Sequence, residues 1–198
     1  MPRNSNKHLD RPHRHHYDAE MLSVEEARER ILSYFNRLSV ECTPLLDSLG
    51  QVLGEKVVAP FDVPQLANSA MDGYAVFSAD TTGATKNTPS VLQVIGLVAA
   101  GQIAERPLEP GTAIRIMTGA PLPQNADAVV PFEDTDELER GGTVKSDDTV
   151  ALYVEAAPNE NIRQAGEDVR CGDNVFHAGQ ILGAGEVGVI ASLGRSGI

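Results

Sequence analysis

The sequence predicts an α+β chain that is mostly β, on three observations. The 18 glycines and 12 prolines among 198 residues favour a turn-rich β architecture over a helical bundle. Helical periodicity is confined to one stretch near each end. Between them, from Phe61 to about Asp148, short apolar runs alternate with turn residues, which argues for a compact β-barrel or bent sheets. At 41% hydrophobic residues the chain can bury a sizeable core, as one large domain or two small ones.

Residues 1–20 are polar and without periodicity, and read as a disordered lead-in. His13, His15 and His16 form an HxHH cluster there, but a flexible tail lacks the fixed second shell a metal site needs, so the cluster reads as solvated. Ser23 followed three residues on by Glu26 is a capping-box signature. Val24, Ala27, Ile31, Tyr34 and Leu38 follow at spacings of three and four, predicting an amphipathic helix over 24–38. The segment TPLLDSLGQVLGEKVVAP holds a short helical turn ended by Gly50, then a strand-like stretch. Pro60 and Pro64 bracket a change of direction that suits a domain boundary.

Strands are expected at YAVFSAD, VLQVIGLVAAG, AIRIM, AVVPF and TVKS. The acidic run Glu133, Asp134, Asp136, Glu137 and Glu139 reads as a solvated loop, because the ligand spacing of a hard-cation cage is missing. The texture changes near Ala151, and GAGEVGVIASLG reads as a short buried helix ended by Gly194. An end so soon after a helix cap suggests that more chain follows.

A formal charge of −12 repels nucleic acid and anionic membrane, so an anionic ligand would need local arginines, backbone N–H groups or a bound cation. Cys42 and Cys171 stand far apart without a CxxC and read as reduced cytoplasmic thiols. No apolar run has the length to span a bilayer. P-loop, GxGxxG, GxSxG, HExxH and Cys/His zinc patterns are missing, which leaves the common nucleotide, hydrolase and zinc chemistries without support.

Three loops carry candidate chemistry. In Asn68–Gly73, Asp72 is either half of an Asp-Gly type I′ hairpin turn or a carboxylate displayed to a cation or polar ligand. In Met117–Pro121, Thr118 and the glycine after it offer a hydroxyl and an exposed N–H to an oxyanion, or simply a turn. NIRQAGEDV and the arginine that follows it set Arg163, Glu167, Asp168 and Arg170 around Gly166, as an oxyanion or metal site or as a surface ion pair.

Taken together, FDVPQLANSAMDGYAV, IRIMTGAPLPQNADAVV with FEDT after Pro131, and NIRQAGEDVRCGDNVFHAGQILGAGEVGVIASLG resemble, in order and spacing, the N-terminal region of the molybdopterin molybdenumtransferase (MoeA) family, which includes the enzyme part of gephyrin. The resemblance runs from about residue 21 to 198. It implies a segmented helix/strand domain, 21–60 plus 151–198, with an inserted β-barrel-like domain at 61–150, and it implies that the family's third and fourth domains are absent. It implies insertion of molybdate into adenylylated molybdopterin with release of AMP, dependent on Mg²⁺, in an elongated cytoplasmic homodimer whose cleft is shared between subunits. By the same resemblance Asp72, Thr118 and Asp168 are catalytic, Arg163 and Ser69 bind substrate, and Asp72 is the Mg²⁺ ligand. Two other functions fit: a non-catalytic dimerisation or scaffold module that docks other cofactor-assembly proteins, and a small molybdate-sensing protein.

Overall fold

The computed structural model describes residues 22–141 and 148–198. The lead-in at 1–20 and the strand expected at TVKS, 143–146, fall outside them. The chain divides into two units, Met1–Glu41 and Cys42–Ile198.

In the first unit α1 spans Val24–Leu32. The capping box forms as predicted: the Ser23 hydroxyl accepts from Glu26 N at 3.1 Å, and the Glu26 carboxylate accepts from Ser23 N at 2.8 Å. The helix stops six residues short of the expected Leu38. Ser33 Oγ donates to Arg30 O at 2.8 Å, and the N–H groups of Tyr34 and Phe35 close tight turns onto Ile31 O and Leu32 O. Ser33, Tyr34, Phe35 and Asn36 are modest helix formers. No residue of α1 is buried, so no packing carries the helix further.

The second unit joins both ends of its sequence. After a 3₁₀ turn at Leu45–Asp47 and Gly50, in the left-handed region at φ +82°, the chain forms β1, Val57–Val58. Its partner is distant: Val57 lies opposite Phe176 of β9, Asn174–Phe176. The C-terminal helix α2, Ala184–Ser192, starts where Glu186 accepts from Gly183 N at 2.9 Å and ends before Gly194 at φ +79°. It was expected to be buried, but it buries one face only, through Ile190. Leu45, Leu53, Val57, Leu182, Ile190 and Leu193 form the core here.

The middle of the chain folds as a curled five-stranded sheet ordered β6-β3-β5-β4-β7. The strands are β3 (Gly73–Val76), β4 (Ser90–Val98), β5 (Thr112–Ile116), β6 (Ala128–Pro131) and β7 (Thr149–Leu152). β4 and β5 run parallel, and the other ladders are antiparallel. Apolar side chains cover both faces. Tyr74, Val76, Val94, Val130 and Leu152 fill one, and Ala75, Val98, Ile114, Ile116 and Val129 fill the other. Among the described residues no ladder joins the edge strands β6 and β7. Instead, Val129 N donates to Glu160 O on one edge, and on the other Asp136 N donates to Ala151 O while Ala151 N donates to Asp136 Oδ1.

The acidic run corrects another expectation. Glu137 is buried, not solvated. It pairs with Arg115 of β5, with Nε 2.9 Å from Oε2 and Nη2 donating to Oε1 at 3.1 Å. Of its neighbours, the largely buried Asp136 pairs with the more exposed Arg140, while Glu139 pairs with Lys86 at the surface. A negative charge enters this interior because a guanidinium, buried in the same face, meets it.

Candidate functional site

The three candidate loops meet around one short strand. β2, Asn68–Ser69, pairs antiparallel with β8, Ile162–Arg163, with Asn68 opposite Arg163 and Ser69 opposite Ile162. On its other side Ser69 N donates to Ala120 O at 3.0 Å, and Gly119 N donates back to Ser69 O at 2.8 Å. Ala70 N reaches Asn161 O at 2.9 Å. Backbone bonds thus lock the loops of Asp72, Thr118 and Arg163 to one another, although about 90 residues of sequence separate the first from the last.

Asp72 is no hairpin former. β2 and β3 flank it but do not pair with each other, and neither Asp72 nor Gly73 has a positive φ. Gly73 is required for another reason: a Cβ there would lie 2.1 Å from Val130 O, inside the β3–β6 ladder. The Asp72 carboxylate is instead clasped by the second loop. Oδ1 accepts from Thr118 N at 2.6 Å and from Thr118 Oγ1 at 2.7 Å. These two bonds, with a smaller contribution from the Arg115 charge, hold its carboxyl below the usual aspartate range. Oδ2 has no hydrogen-bond partner among the described residues. Of the two donors expected to serve an oxyanion, the Thr118 hydroxyl is taken by Asp72 and the Gly119 N–H by Ser69 O, and Thr118 N is also taken by Asp72.

Ser69 is buried, and its hydroxyl closes a local turn, donating to Met71 O at 2.6 Å and accepting from Met71 N at 3.3 Å. In the third loop Arg163 Nη2 donates to Asp168 Oδ1 at 2.6 Å, and Nε meets Glu167 at 3.4 Å. The bond to Asp168 raises the guanidinium pKa, so the charge is permanent. Arg170 stands apart from this pair: its backbone N donates to Asp173 at 3.0 Å, and its Cγ would lie 3.2 Å from a Cβ on Gly166. Among the described residues no bond joins the Asp72 and Arg163 side chains directly. Chemically the site offers one free carboxylate oxygen and one partly occupied guanidinium on a rigid ladder.

Sequence reasoning missed what lies underneath. Arg115, Glu137 and Tyr74 form a buried network, in which Tyr74 Oη donates to Glu137 Oε2 at 2.6 Å. Burial, and then that bond, push the Tyr74 phenol far above the ordinary tyrosine range, so it remains a donor. The signal was an arginine inside the apolar run AIRIM, where charge is rare unless paired.

Residues 22–194 match the family model described as MoeA N-terminal region (domain I and II). Molybdopterin molybdenumtransferase 2 of Mycobacterium tuberculosis is 44% identical over 174 residues, which are 88% of this chain and 41% of that protein. The molybdopterin molybdenumtransferase of Staphylococcus aureus is 36% identical over 173 residues, or 87% of this chain and 39% of that protein. A crystal structure of the molybdopterin biosynthesis moeA protein from Pyrococcus horikoshii superposes with a TM-score of 0.78 at 33% identity, covering 88% of this chain and 44% of that one. The chain therefore spans about two fifths of the length of these curated relatives. With three loops locked on one strand, and with sequence and fold matched across nearly nine tenths of its length, this chain belongs to the MoeA N-terminal region family.

Proposed function

We propose that this chain is the N-terminal part of a molybdenum cofactor biosynthesis enzyme that inserts molybdate into adenylylated molybdopterin with release of AMP, and that its three loops form one wall of a cleft completed by further chain and a second subunit. The observation that carries this reading is the Asp72–Thr118 clasp, an ionised carboxylate with one oxygen free, held on the same backbone ladder as Arg163. The names of the relatives supply the substrate class. The segmented 21–60 plus 151–198 domain, the barrel-like closure of the 61–150 insert, the homodimer and the cytoplasmic setting belong to the same proposal. Among the described residues no helix is long and apolar enough to cross a membrane.

The residues present suit Mg²⁺ in one particular way. Among the described residues no three His, Cys, Asp or Glu side chains gather as a cage. Mg²⁺, however, commonly takes one or two protein carboxylates and completes its shell with water and substrate oxygens. Asp72 Oδ2 provides one such ligand. When bound, the cation neutralises charge on the anionic substrates. Thr118 fixes which oxygen of Asp72 faces the ligand, and Arg163 offers its remaining N–H groups to a molybdate or phosphate oxygen while Asp168 steers the guanidinium. Against a net charge of −12 these local positive groups are what permit an anion to approach.

A second reading, a dimerisation or scaffold module, is favoured by the exposed apolar residues Ile31, Leu32, Tyr34, Phe35 and Leu38 of the first unit. Complementation of a molybdenum-cofactor-deficient strain, scored by nitrate reductase activity, separates the two. The enzyme reading expects rescue by a longer form carrying the downstream family domains, loss of rescue with Asp72→Ala, and none with the 198-residue chain. Full rescue by the long Asp72→Ala form would sink it.

A further inference from the structure

We propose that Arg115 is a positioning residue of this site: held in place by Glu137, its guanidinium ties together the two backbone segments that carry Asp72 and Thr118. The inference rests on the reading of those two residues as the functional pair.

The β3–β5 ladder ends with Gly73 opposite Ile116. One residue beyond Gly73 is Asp72, and two beyond Ile116 is Thr118, so the clasp is formed where the ladder stops. Arg115 takes over at that point. Its Nη1 donates to Gly73 O at 3.1 Å and to Ile116 O at 3.0 Å, and lies 3.8 Å from Met117 Sδ. Its other edge is spent on Glu137, which is fixed in turn by the Tyr74 hydroxyl. The guanidinium carbon lies 5.3 Å from the centre of the Tyr74 ring and 5.5 Å from that of Phe132. Phe132 N donates to Asp72 O at 3.1 Å, so the aromatic that stacks on Arg115 also holds the backbone of Asp72.

Stability alone is a poor reason for such a group. A buried ion pair repays its desolvation at best, and apolar residues of similar volume often serve as well. What apolar residues cannot do is bond two carbonyls and a carboxylate at once from a flat fork, and a lysine, with one compact ammonium, cannot span the same three acceptors. The residue type matches the positioning task.

The test is amide exchange by NMR on the 198-residue chain, comparing Thr118 with the sheet-core amides of Val94 and Val98. In Arg115→Lys, Thr118 is expected to exchange roughly tenfold faster, as befits loss of a charge-assisted hydrogen bond, with Val94 and Val98 unchanged. Tyr74→Phe, which keeps the ion pair and loses one hydroxyl, should give a smaller change in the same direction. In an Asp72→Asn background, where the clasp is already weakened, Arg115→Lys should add little. Wild-type exchange at Thr118 in a folded Arg115→Lys chain would overturn the proposal. If that variant does not fold, wild-type exchange at Thr118 in Tyr74→Phe would overturn it, as would core amides losing protection as much as Thr118 does. These measurements need no substrate, so they can fail while complementation succeeds, or succeed while complementation fails.

Discussion

At Gly73 the β6 carbonyl approaches so closely that a single added carbon has no room. Gly73→Ala is therefore expected to destabilise the second unit by about 1–3 kcal/mol or more, the range for forced overpacking, because the obstacle is backbone rather than a movable side chain. Urea denaturation with an unchanged midpoint would show that the ladder yields. The neighbouring Asp72 makes a pH-dependent contribution. Its carboxyl titrates below the ordinary aspartate range in the folded chain, so its stabilisation is fully present above the unfolded value and is lost as pH falls through the folded one. The Thr118 amide resonance should hold steady at neutral pH and shift on acidification below the ordinary aspartate range. In Asp72→Asn that acid transition should vanish, and its persistence would assign the titration to another group.

Elements here are stabilised as much by what covers their ends as by their own ladders. The outer edge of β7 meets the 134–140 segment, and the outer edge of β6 meets 159–161, so neither presents a free row of backbone groups. Glu137 anchors the first of these covering segments into the core through Arg115 and Tyr74. Glu137→Ala leaves a guanidinium buried without its counter-charge and should cost about 3–5 kcal/mol, far more than any surface pair in the same run. Chemical denaturation of Glu137→Ala beside Glu139→Ala is the comparison, and equal losses would return Glu137 to the solvated surface. The end of α1 makes the converse point. Its start was legible because a capping box is local, whereas its stop was misjudged because periodicity continues past Leu32 although no residue of the helix is buried to reward it.

For the molecule as a whole, the division at residues 41 and 42 predicts graded protease resistance. Arg28, Arg30 and Arg37 are exposed in the first unit, while the arginine most deeply set in the second, Arg115, is buried. Limited trypsin digestion should cut first at those three positions and leave the Cys42–Ile198 unit with its β-rich circular dichroism. Early cleavage within 45–135 would contradict this. The second unit is closed by pairings between distant sequence, β1 with β9 and β2 with β8, and the second of these ladders carries the candidate site.

The sequence by itself determined the mostly β texture, the first helix cap, four of the five strands of the central sheet (β3 to β6, not β7) and the three loops, because these depend on local patterns: side-chain alternation, turn residues and capping pairs. Asp72, Thr118, Arg163 and Asp168 were named from motifs of a few residues. The tertiary structure alone decided what each one touches. It turned Asp72 from a possible hairpin corner into an acceptor for Thr118, spent the hydroxyl of Ser69 on a local turn, and drew Glu137 out of an apparently solvated run into the core beside Arg115. The physical reason is range. Composition and periodicity report a residue's neighbours along the chain, while the state of a carboxylate or guanidinium is set by partners that only folding brings within about 3 Å.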